Sequence, residues 1–512
     1  MRYLSLFFAV VLSFVTPATA ATGVGGEITT TTWTKANGPY YVLNAITVPA
    51  GNTLTIEPGV DVIFEAYAQF IVQGQLYAIG TEADSIRFIK GSAAQWGGLT
   101  LSEGDTSTLG YVRISDSFAG GVNIKNSTRV GMTNCTIANN STPSNDGYGY
   151  GGGIYCDAST VTLVNCTIAN NSAPYAAGLY GHYSSMALTS CTIVGNQASS
   201  YHGGKGGGLY AYYSTTTLEN CVVTSNSVQG GYGGGIHTSS SDVVLVGCII
   251  KENSSAYGGG VDSYNSIITL TNCTITDNHA LDGGAVKSYN STVNLAHCTI
   301  SHNSYYGGGL YASSNSITIV KNTILWGNGT REYFNTTNSA MSATYSDIYN
   351  VVPVAYPGEG NINADPLFVD AANGDYHLQA GSPCINTGDP TSPLDQDGSR
   401  ADMGAFPYAH STAVSMERLS AFMLHPNIPN PFNPSTTIRF SLAEGGLATL
   451  SVYDVSGRLV RTLLVRESLP FGAHSAVWDG TDAIGRPAAS GIYLYRLTAP
   501  EGTVTRRMTL VR

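Results

Sequence analysis

Hydrophobic and polar residues alternate with a period of two through much of this 512-residue chain. Val161-Thr162-Leu163 and Ile317-Thr318-Ile319 are typical segments, and they place apolar or β-branched residues where a short strand needs them. The connecting segments are rich in Gly, Ser, Tyr and Asn and lack helical periodicity. The pattern therefore predicts an all-β protein built from short strands and tight turns.

A repeat of 25 to 31 residues organises the middle of the chain. Each copy has a Cys, an Ile or Val two residues later and an Asn five residues later, and Gly clusters such as 206–208 and 258–260 follow most of these Asn residues. Thr323 and Asn328 continue the pattern with Thr in place of Cys. The repeated residues are Cys135, Cys166, Cys191, Cys221, Cys248, Cys273 and Cys298, with Asn140, Asn171, Asn196, Asn226, Asn253, Asn278 and Asn303.

Coils of this length, made only of strands and turns, predict a parallel β-helix in which coils stack at about 4.8 Å. Leucine-rich repeats share the period but need a larger Leu framework. The recurring Asn suits a turn, and in register these side chains can hydrogen-bond one another along the axis. The Gly clusters permit positive φ and close approach between coils.

The section from Leu54 to Asn328 resembles the right-handed parallel β-helix proteins of bacterial surfaces and the pectate-lyase-like enzymes that act on polysaccharides. Its CTIxxN and GGGLY blocks are also similar to the FxxN and GGAI repeats of polymorphic outer-membrane proteins, with Cys replacing Phe. The resemblance implies a fold rather than a reaction. Less regular segments upstream are expected to form the first coils and a cap, because an open β edge invites aggregation.

The nine cysteines allow two interpretations. An exported protein favours disulfides. An inward column of cysteines at one repeat position would instead behave as small apolar residues, with Cβ atoms about 4.8 Å apart, too far for good disulfide geometry. We favour free core thiols, with Cys156 on a second inward row beside Ala211, Thr238 and Ser263.

Alternation also predicts two outward columns on one face of the helix. Flat Tyr rings on such a face can stack on sugars while polar neighbours bond the hydroxyls; alternatively, Tyr is simply a good strand former on a solvated face. The first column is Tyr155, Tyr180, Tyr210, His237, Asp262, Lys287 and Tyr311, and the second is Asp157, His182, Tyr212, Ser239, Tyr264, Tyr289 and Ser313. The glycan-binding candidates are Tyr155, Tyr180, Tyr210, Tyr212, Tyr264, Tyr289 and Tyr311.

His237, Asp262 and Lys287 fall in consecutive coils, so their side chains are expected to be neighbours. A carboxylate beside a Lys and a His can support proton abstraction or acid catalysis, which makes the three residues catalytic candidates. The resemblance to polysaccharide lyases and hydrolases adds weight, but no catalytic motif of those families can be transferred residue by residue. A solvated column of polar side chains is the alternative.

The repeat breaks after Asn328, and residues 346–410 resemble the segment that closes many bacterial extracellular β-helices. Asp395, Asp397 and Asp402 surround a turn at Gly398, and oxygen ligands at such spacing can bind calcium. The EF-hand pattern is incomplete because Phe406 stands where the final Glu belongs. The alternative is a turn whose carboxylates bond their own backbone.

Residues 424–512 predict a sandwich of about seven strands. Their landmarks resemble the Ig-like C-terminal sorting domain of type IX secretion cargo, which is related to a flagellar hook-cap module. The resemblance implies an interaction with the outer-membrane secretion machinery, followed by release or surface attachment. The landmarks are PNPFNP at 429–434, Tyr453-Asp454, Gly457-Arg458, Trp478-Asp479-Gly480 and Ser490-Gly491-Ile492-Tyr493.

Residues 1–20 have the charged start, apolar run and A-x-A-like site of a signal peptide, and no second segment reaches membrane length. The formal net charge of −11 argues against a nucleic-acid-binding protein, whose affinity would come from a basic patch. The predicted domains are a signal peptide (1–20), a right-handed parallel β-helix (21–345), a capping segment (346–410), a linker (411–423) and an Ig-like domain (424–512).

Together these features predict a secreted or outer-membrane surface-attached protein that binds a polysaccharide or a cell-surface glycan. The alternatives are a polysaccharide lyase or glycoside hydrolase acting on the same face, and a structural spacer.

Overall fold

In the computed structural model, each coil of the repeat contributes one strand to each of three ladders of parallel strands. Ladder 1 is a 13-stranded sheet. Ladders 2 and 3 form one 25-stranded sheet because both include the long strand Tyr40–Val48. Helical structure among the described residues is limited to two short 3-10 turns, Lys35–Asn37 and Ala371–Asn373. The predicted all-β class and the β-helix are therefore confirmed.

The strands of ladder 1 are Thr31–Trp33, Thr53–Ile56, Gln75–Ile79, Ser107–Gly110, Val130–Thr133, Thr160–Val164, Ser185–Thr189, Thr215–Glu219, Asp242–Val246, Ile267–Thr271, Thr292–Ala296, Ile317–Lys321 and Ala340–Thr344. Ladder 2 contains Thr22–Glu27, Tyr40–Val48, Asp61–Phe64, Ile86–Lys90, Val112–Ser115, Thr136–Ala138, Thr167–Ala169, Thr192–Val194, Val222–Thr224, Ile249–Lys251, Thr274–Thr276, Thr299–Ser301, Ile324–Trp326 and Asp347–Ile348. Ladder 3 continues from Tyr40–Val48 through Phe70–Val72, Leu99–Ser102, Val122–Lys125, Ile154–Asp157, Leu179–His182, Leu209–Tyr212, Ile236–Ser239, Val261–Tyr264, Val286–Tyr289, Leu310–Ser313 and Tyr333–Asn335.

The chain divides into two units, Met1–Tyr408 and Ala409–Arg512. The predicted signal peptide lies outside the described residues, as does the predicted linker except for Met423. No helix in the described part of the chain is long and apolar enough to cross a membrane. The structure describes residues 21–92, 95–102, 106–127, 129–143, 149–199, 203–303, 308–336, 338–352, 354–408, 423–424, 427, 429–430, 432, 433–442, 446–454, 458–469, 472–483, 485–500 and 502–511.

Eight of the nine cysteines form part of the β-helix core, and Cys384 lies in the core of the capping segment. All nine are free and buried, which confirms the prediction of free thiols. In the repeat column each thiol donates to carbonyl oxygens instead of bonding covalently, as when Cys191 Sγ–H approaches the Leu163 and Thr189 oxygens at 3.5 Å. Cys156 lies on the second inward row as predicted, in register with Gly181, Ala211 and the rungs beyond. These thiols fill space as small apolar side chains do.

The repeated Asn side chains form a continuous hydrogen-bonded ladder inside the helix. Asn253 is typical: its Oδ1 accepts the backbone N–H and the Nδ2 of Asn226, and its own Nδ2 donates to Asn278 Oδ1. The ladder ends where Glu332 accepts the backbone N–H and Nδ2 of Asn328. Burial raises the pKa of the Glu332 carboxyl. A left-handed conformation occurs at the residue before each ladder Asn, such as Glu252 at φ 56, so the Asn follows the turn residue.

Segment 346–408 packs on the last coils and includes an antiparallel hairpin, Phe368–Asp370 with Asp375–Leu378. Its core contains Ile324, Leu378, Cys384 and Met403. Asp347 is buried, where it accepts the Ala364 amide at 3.1 Å and the Cys384 thiol at 3.3 Å.

The second unit contains two antiparallel sheets with a shared apolar core that includes Phe440, Trp478 and Tyr495. One sheet has the order Met423–Leu424, Thr436–Leu442, Gly472–Trp478, and the other has the order Leu459–Leu469, Gly446–Asp454, Gly491–Ala499, Gly502–Leu510. The seven strands and two sheets agree with the predicted Ig-like class.

Candidate functional site

Ladder 3 aligns the two predicted outward columns in the expected register. Tyr180 pairs with Tyr210, His237 with Asp262, and the next rung continues to Lys287. The sequence spacing therefore identified which side chains are neighbours along the axis.

The first outward column is not the exposed ridge expected from the sequence. Tyr180 and Tyr210 are each only 5% exposed, and His237 and Asp262 are even more deeply buried. The reason is a second layer: the described loop residues that follow the ladder Asn side chains from Asn140 to Asn278 fold back over this column. This roof row consists of Tyr150, Tyr175, Lys205, Tyr232, Tyr257 and Asp282. Parallel bridges join Tyr150 to Tyr175 and run from Lys205 to Asp282, and the Ala176 amide donates to the Lys205 carbonyl between these two parts.

The roof row and the buried column make an aromatic core outside the β-helix proper. Tyr150 stacks on Tyr180 with ring centroids 4.9 Å apart, and Tyr180 contacts Tyr155 and Tyr210 at 5.5 and 5.1 Å. Burial raises the pKa of the Tyr155 hydroxyl to about 12 and raises that of Tyr180 further. The sequence contained the signal for this layer, because a roof residue stands five positions before each residue of the first column from Tyr155 to Lys287.

His237 and Asp262 form a buried pair beneath the roof. His237 Nδ1 lies 2.8 Å from Asp262 Oδ2, and His237 Nε2 has no hydrogen-bond partner among the described residues. Burial lowers the pKa of the His237 imidazole; Asp262 opposes this shift, while Lys205 and Lys287 add to it. Desolvation therefore favours the neutral imidazole.

Lys287, the third catalytic candidate, packs against the roof row. Its ammonium lies 4.0 Å above the Tyr257 ring centroid and 5.2 Å from that of Tyr232. Tyr232 and Tyr257 stack at 5.0 Å and cover the pair. His237 and Asp262 are thus in contact, and Lys287 stands on the next rung with its ammonium against the roof tyrosines. In the described part of this face, the pair is buried rather than open to solvent.

Exposed aromatic pairs lie along the edge of ladder 3 that borders the second column. Tyr264 and Tyr289, both predicted candidates, are each 43% exposed and stack at 5.1 Å with an interplanar angle of 12°. Tyr183 and Tyr213 are 59% and 47% exposed and stack at 5.1 Å and 10°. We call these four residues the tyrosine ridge.

Sequence reasoning missed Tyr183 and Tyr213 because they fall one residue beyond the second outward column. Both occupy left-handed corner positions, with φ of 46° and 47°, a conformation that is uncommon for Tyr. The polar positions beside Tyr264 and Tyr289 are Asn265 and Asn290, whose side chains hydrogen-bond each other at 2.8 Å.

The remaining candidates flank the ridge or lie apart from it. Tyr212 is partly exposed and stacks on His182, whose Nδ1 lies 2.7 Å from Asp157 Oδ1. Tyr311 is partly exposed and stacks on Phe334 at 5.3 Å.

The three candidate calcium ligands bond the backbone of their own segment. Asp402 accepts the amides of Asn386 and Tyr408, Asp395 accepts the amide of Asp402, and Asp397 accepts that of Ser399. Within the described residues, no group of three or more His, Cys, Asp or Glu side chains is arranged to hold a metal ion. Calcium binding by Asp395, Asp397 and Asp402 stays a prediction.

Comparison with protein families gives two matches. The right handed beta helix region matches residues 79–250, 200–324 and 226–350, and the FlgD Ig-like domain matches residues 434–503. A comparison with curated protein sequences gives no match.

Solved structures with detectable similarity come from several kinds of protein. Dimeric latent PorU from Porphyromonas gingivalis is 28% identical over 17% of this chain, with a TM-score of 0.16, and only 9% of its own length is covered. The gp42 tailspike of Acinetobacter phage vb_AbaP_AS12 is 11% identical, with 90% of this chain and 77% of the tailspike covered and a TM-score of 0.35. Pectate lyase Pel9A is 14% identical, with 71% of this chain and 89% of the lyase covered and a TM-score of 0.28. Because the family matches together span more than half of the sequence, the chain belongs to the right handed beta helix family.

Proposed function

We propose that this protein binds glycans at the cell surface or outside the cell, through the tyrosine ridge. The observation that carries the proposal is the pair of exposed, parallel ring stacks, Tyr183 with Tyr213 and Tyr264 with Tyr289. The apolar C–H face of a sugar ring packs on such a surface, and Tyr contributes contact area with little loss of rotamer freedom. Asn265 and Asn290 supply amide groups for the sugar hydroxyls.

Regular stacking makes this surface suited to an extended ligand rather than a compact one. Successive rungs are about 4.8 Å apart, so the ridge offers repeated contacts along one direction. A polysaccharide presents similar groups at regular intervals, and several weak contacts on one chain add up to useful retention.

Export is the second part of the proposal. The apolar run with its A-x-A-like site at 1–20 and the landmarks of 424–512 support delivery across both membranes of a cell envelope, with the Ig-like unit addressing the secretion machinery. Deletion of 424–512 is the direct test: we expect the truncated protein to accumulate in the periplasm. Normal surface delivery of the truncated protein would contradict this part.

Binding is tested with the full-length protein on immobilised acidic and neutral polysaccharides, with and without calcium. Two double variants remove the ridge, Tyr183→Ala with Tyr213→Ala, and Tyr264→Ala with Tyr289→Ala. Loss of two stacking rings is expected to weaken retention about tenfold or more. Tyr77→Ala is the matched control, because Tyr77 is 48% exposed but lies on ladder 1. Unchanged retention of both double variants would contradict glycan binding by the ridge.

A lyase or hydrolase activity is the second candidate, favoured by the 2.8 Å contact between His237 and Asp262. It requires displacement of Tyr232 and Tyr257, because they cover the pair. Chain shortening and ultraviolet absorbance from unsaturated uronate ends measure it in the same samples. Depolymerisation that disappears in His237→Gln or Asp262→Asn would rank the enzyme first. If the protein neither retains nor shortens any polysaccharide, a structural spacer is the better description.

A further inference from the structure

A cleft of about 350 Å³ lies on the first unit between the last regular coil and the hairpin of the capping segment. The strand Ile324–Trp326 forms one wall, and the hairpin strand Phe368–Asp370 forms another. Its lining includes His302, Trp326, Asp365, Leu367, Phe368 and Gln379. None of these residues belongs to the tyrosine ridge or to the buried His237 pair.

Two aromatic side chains give the cleft its apolar walls. Trp326 is partly exposed and meets Tyr349 edge-on at 5.0 Å, while Phe368 is partly exposed and meets Tyr376 edge-on at 5.3 Å. The other three tryptophans of the chain are at most 4% exposed, so Trp326 differs from them in facing solvent. An indole at a cleft wall offers a flat surface to the C–H face of a sugar.

Polar groups of fixed position surround these aromatic walls. The Asp365 carboxylate is held at the rim because its Oδ1 accepts the Leu367 amide at 2.9 Å. Gln379 Nε2 donates to the Phe368 carbonyl at 2.7 Å, which leaves Oε1 as a free-standing acceptor. His302 Nδ1 is 2.9 Å from Ser301 Oγ, so Nε2 is the ring nitrogen that remains for a ligand.

Backbone strain occurs at the same place. Leu367 has φ 53 and is 37% exposed, although a left-handed conformation is uncommon for a bulky side chain. Two hydrogen bonds hold this conformation: the Leu367 backbone N–H donates to the Asp365 carboxylate, and the Gln379 backbone N–H donates to the Leu367 carbonyl at 2.8 Å. These two hydrogen bonds fix the turn that places Asp365 and Phe368 in the lining of the cleft.

We propose that this cleft binds one or two residues of a neutral sugar. Its volume falls at the small end of the range for ligand sites, which is about 300–1,000 Å³, so it suits a chain end or a short oligosaccharide. Two aromatic walls with convergent hydrogen-bonding groups match the two kinds of surface on a pyranose. Of the described residues that line the cleft, none is Lys or Arg, and the Asp365 carboxylate disfavours uronates and sulfated sugars.

The inference does not rest on the tyrosine ridge, and intrinsic fluorescence separates the two sites. Because the other tryptophans are buried, acrylamide quenching of the full-length protein reports mainly on Trp326. The probes are glucose, galactose, N-acetylglucosamine, cellobiose and lactose, with glucuronate and galacturonate for comparison. We expect saturable protection from quenching by at least one neutral sugar and weaker protection, by at least about tenfold, from the uronates.

Variants then assign the contacts, with calorimetry as a readout that does not need Trp326. Gln379→Ala is expected to weaken binding of the neutral sugar about fivefold, and Asp365→Asn to improve binding of the uronate. Asp242→Asn, an exposed carboxylate on ladder 1, is the matched control. The ridge variant Tyr183→Ala with Tyr213→Ala should leave the fluorescence response intact. The inference is overturned if no sugar on the panel binds, or if uronates bind as well as neutral sugars and Asp365→Asn changes neither.

Discussion

The Asn ladder provides the sharpest test of how the coils hold together. Asn253 lies near its middle with an entirely buried side chain that makes four hydrogen bonds. In Asn253→Ala, the backbone N–H of Asn226 loses the acceptor that the side chain gave it, and the Val223 carbonyl loses a donor. Two other partners keep a second bond: Asn226 Nδ2 still donates to the Ile193 oxygen, and Asn278 Oδ1 still accepts the backbone N–H of residue 253.

The expected loss follows from that inventory. A buried amide left without an acceptor costs about 1–3 kcal/mol, and each lost bond between groups that stay partly satisfied costs about 0.5–1.5 kcal/mol. One orphaned amide and three weakened partners therefore sum to a loss on the order of 4 kcal/mol in the free energy of unfolding.

Urea unfolding combined with hydrogen exchange measures this loss, because each coil contacts only its neighbours and its opening can be local. We expect faster exchange of the amides around Asn226 and Asn278 and a lower unfolding midpoint of the β-helix. Asn294→Ala is the control, since its partly exposed side chain makes one 3.3 Å bond to Thr269 on the surface, and it should change stability by less than about 0.5 kcal/mol. If Asn253→Ala lies within about 1 kcal/mol of this control, the ladder does not stabilise the coils as argued.

Three further predictions concern burial and close packing. Burial raises the pKa of Asp347 to about 7, so between pH 4 and 7 the unfolded chain loses this proton while the native state keeps it, and the free energy of unfolding falls by about 4 kcal/mol at most as the pH rises. In thermal melts across that range, Asp347→Asn should flatten this fall. An unchanged pH profile would contradict the prediction. Gly234→Ala should destabilise the coil by about 1–3 kcal/mol, because the new Cβ would lie 2.6 Å from the Gly259 oxygen, whereas Gly131→Ala, with nothing within 4 Å, should melt like the parent protein. An alkylating reagent should label the nine thiols only after unfolding, because all nine are buried and burial raises the pKa of thiols such as that of Cys156. Mass measurement reads out the labelling. Rapid labelling of the folded protein, or a disulfide, would refute a column of buried free thiols.

The repeating part of the fold could be predicted from sequence because stacking forces equivalent positions into equivalent environments. Once Cys166 and Cys191 are recognised as one position, the inward and outward sides of the whole ladder follow from the period of two. The same logic correctly placed His237 beside Asp262. A strict repeat therefore determines neighbours along the axis even at 25-residue separation.

What the period could not reveal is what covers each face. The loops after the ladder Asn residues vary in length and are rich in Gly. The constant five-residue spacing to the first column marks a roof position, but it does not show that the loop folds back over Tyr180 and Tyr210. The capping cleft was also out of reach, because Trp326 and Phe368 come from segments without a shared period, and only tertiary packing brings them together. Corner residues such as Tyr183 escaped because they break the two-residue alternation.

The Asn ladder has a consequence for how this protein can change in length. Its rungs are interchangeable: removal of residues 172–196 would join Asn171 to Gln197 and bring Asn171 into contact with Asn226, the partner that Asn196 now has. Every ladder would close again in register, with Tyr155 beside Tyr210, and the protein would be shorter by about 4.8 Å. In-frame loss or gain of a coil-sized segment can therefore shorten or lengthen the β-helix while the first coils, the capping segment and the Ig-like unit stay unchanged. The length of the β-helix can thus vary without a change of fold.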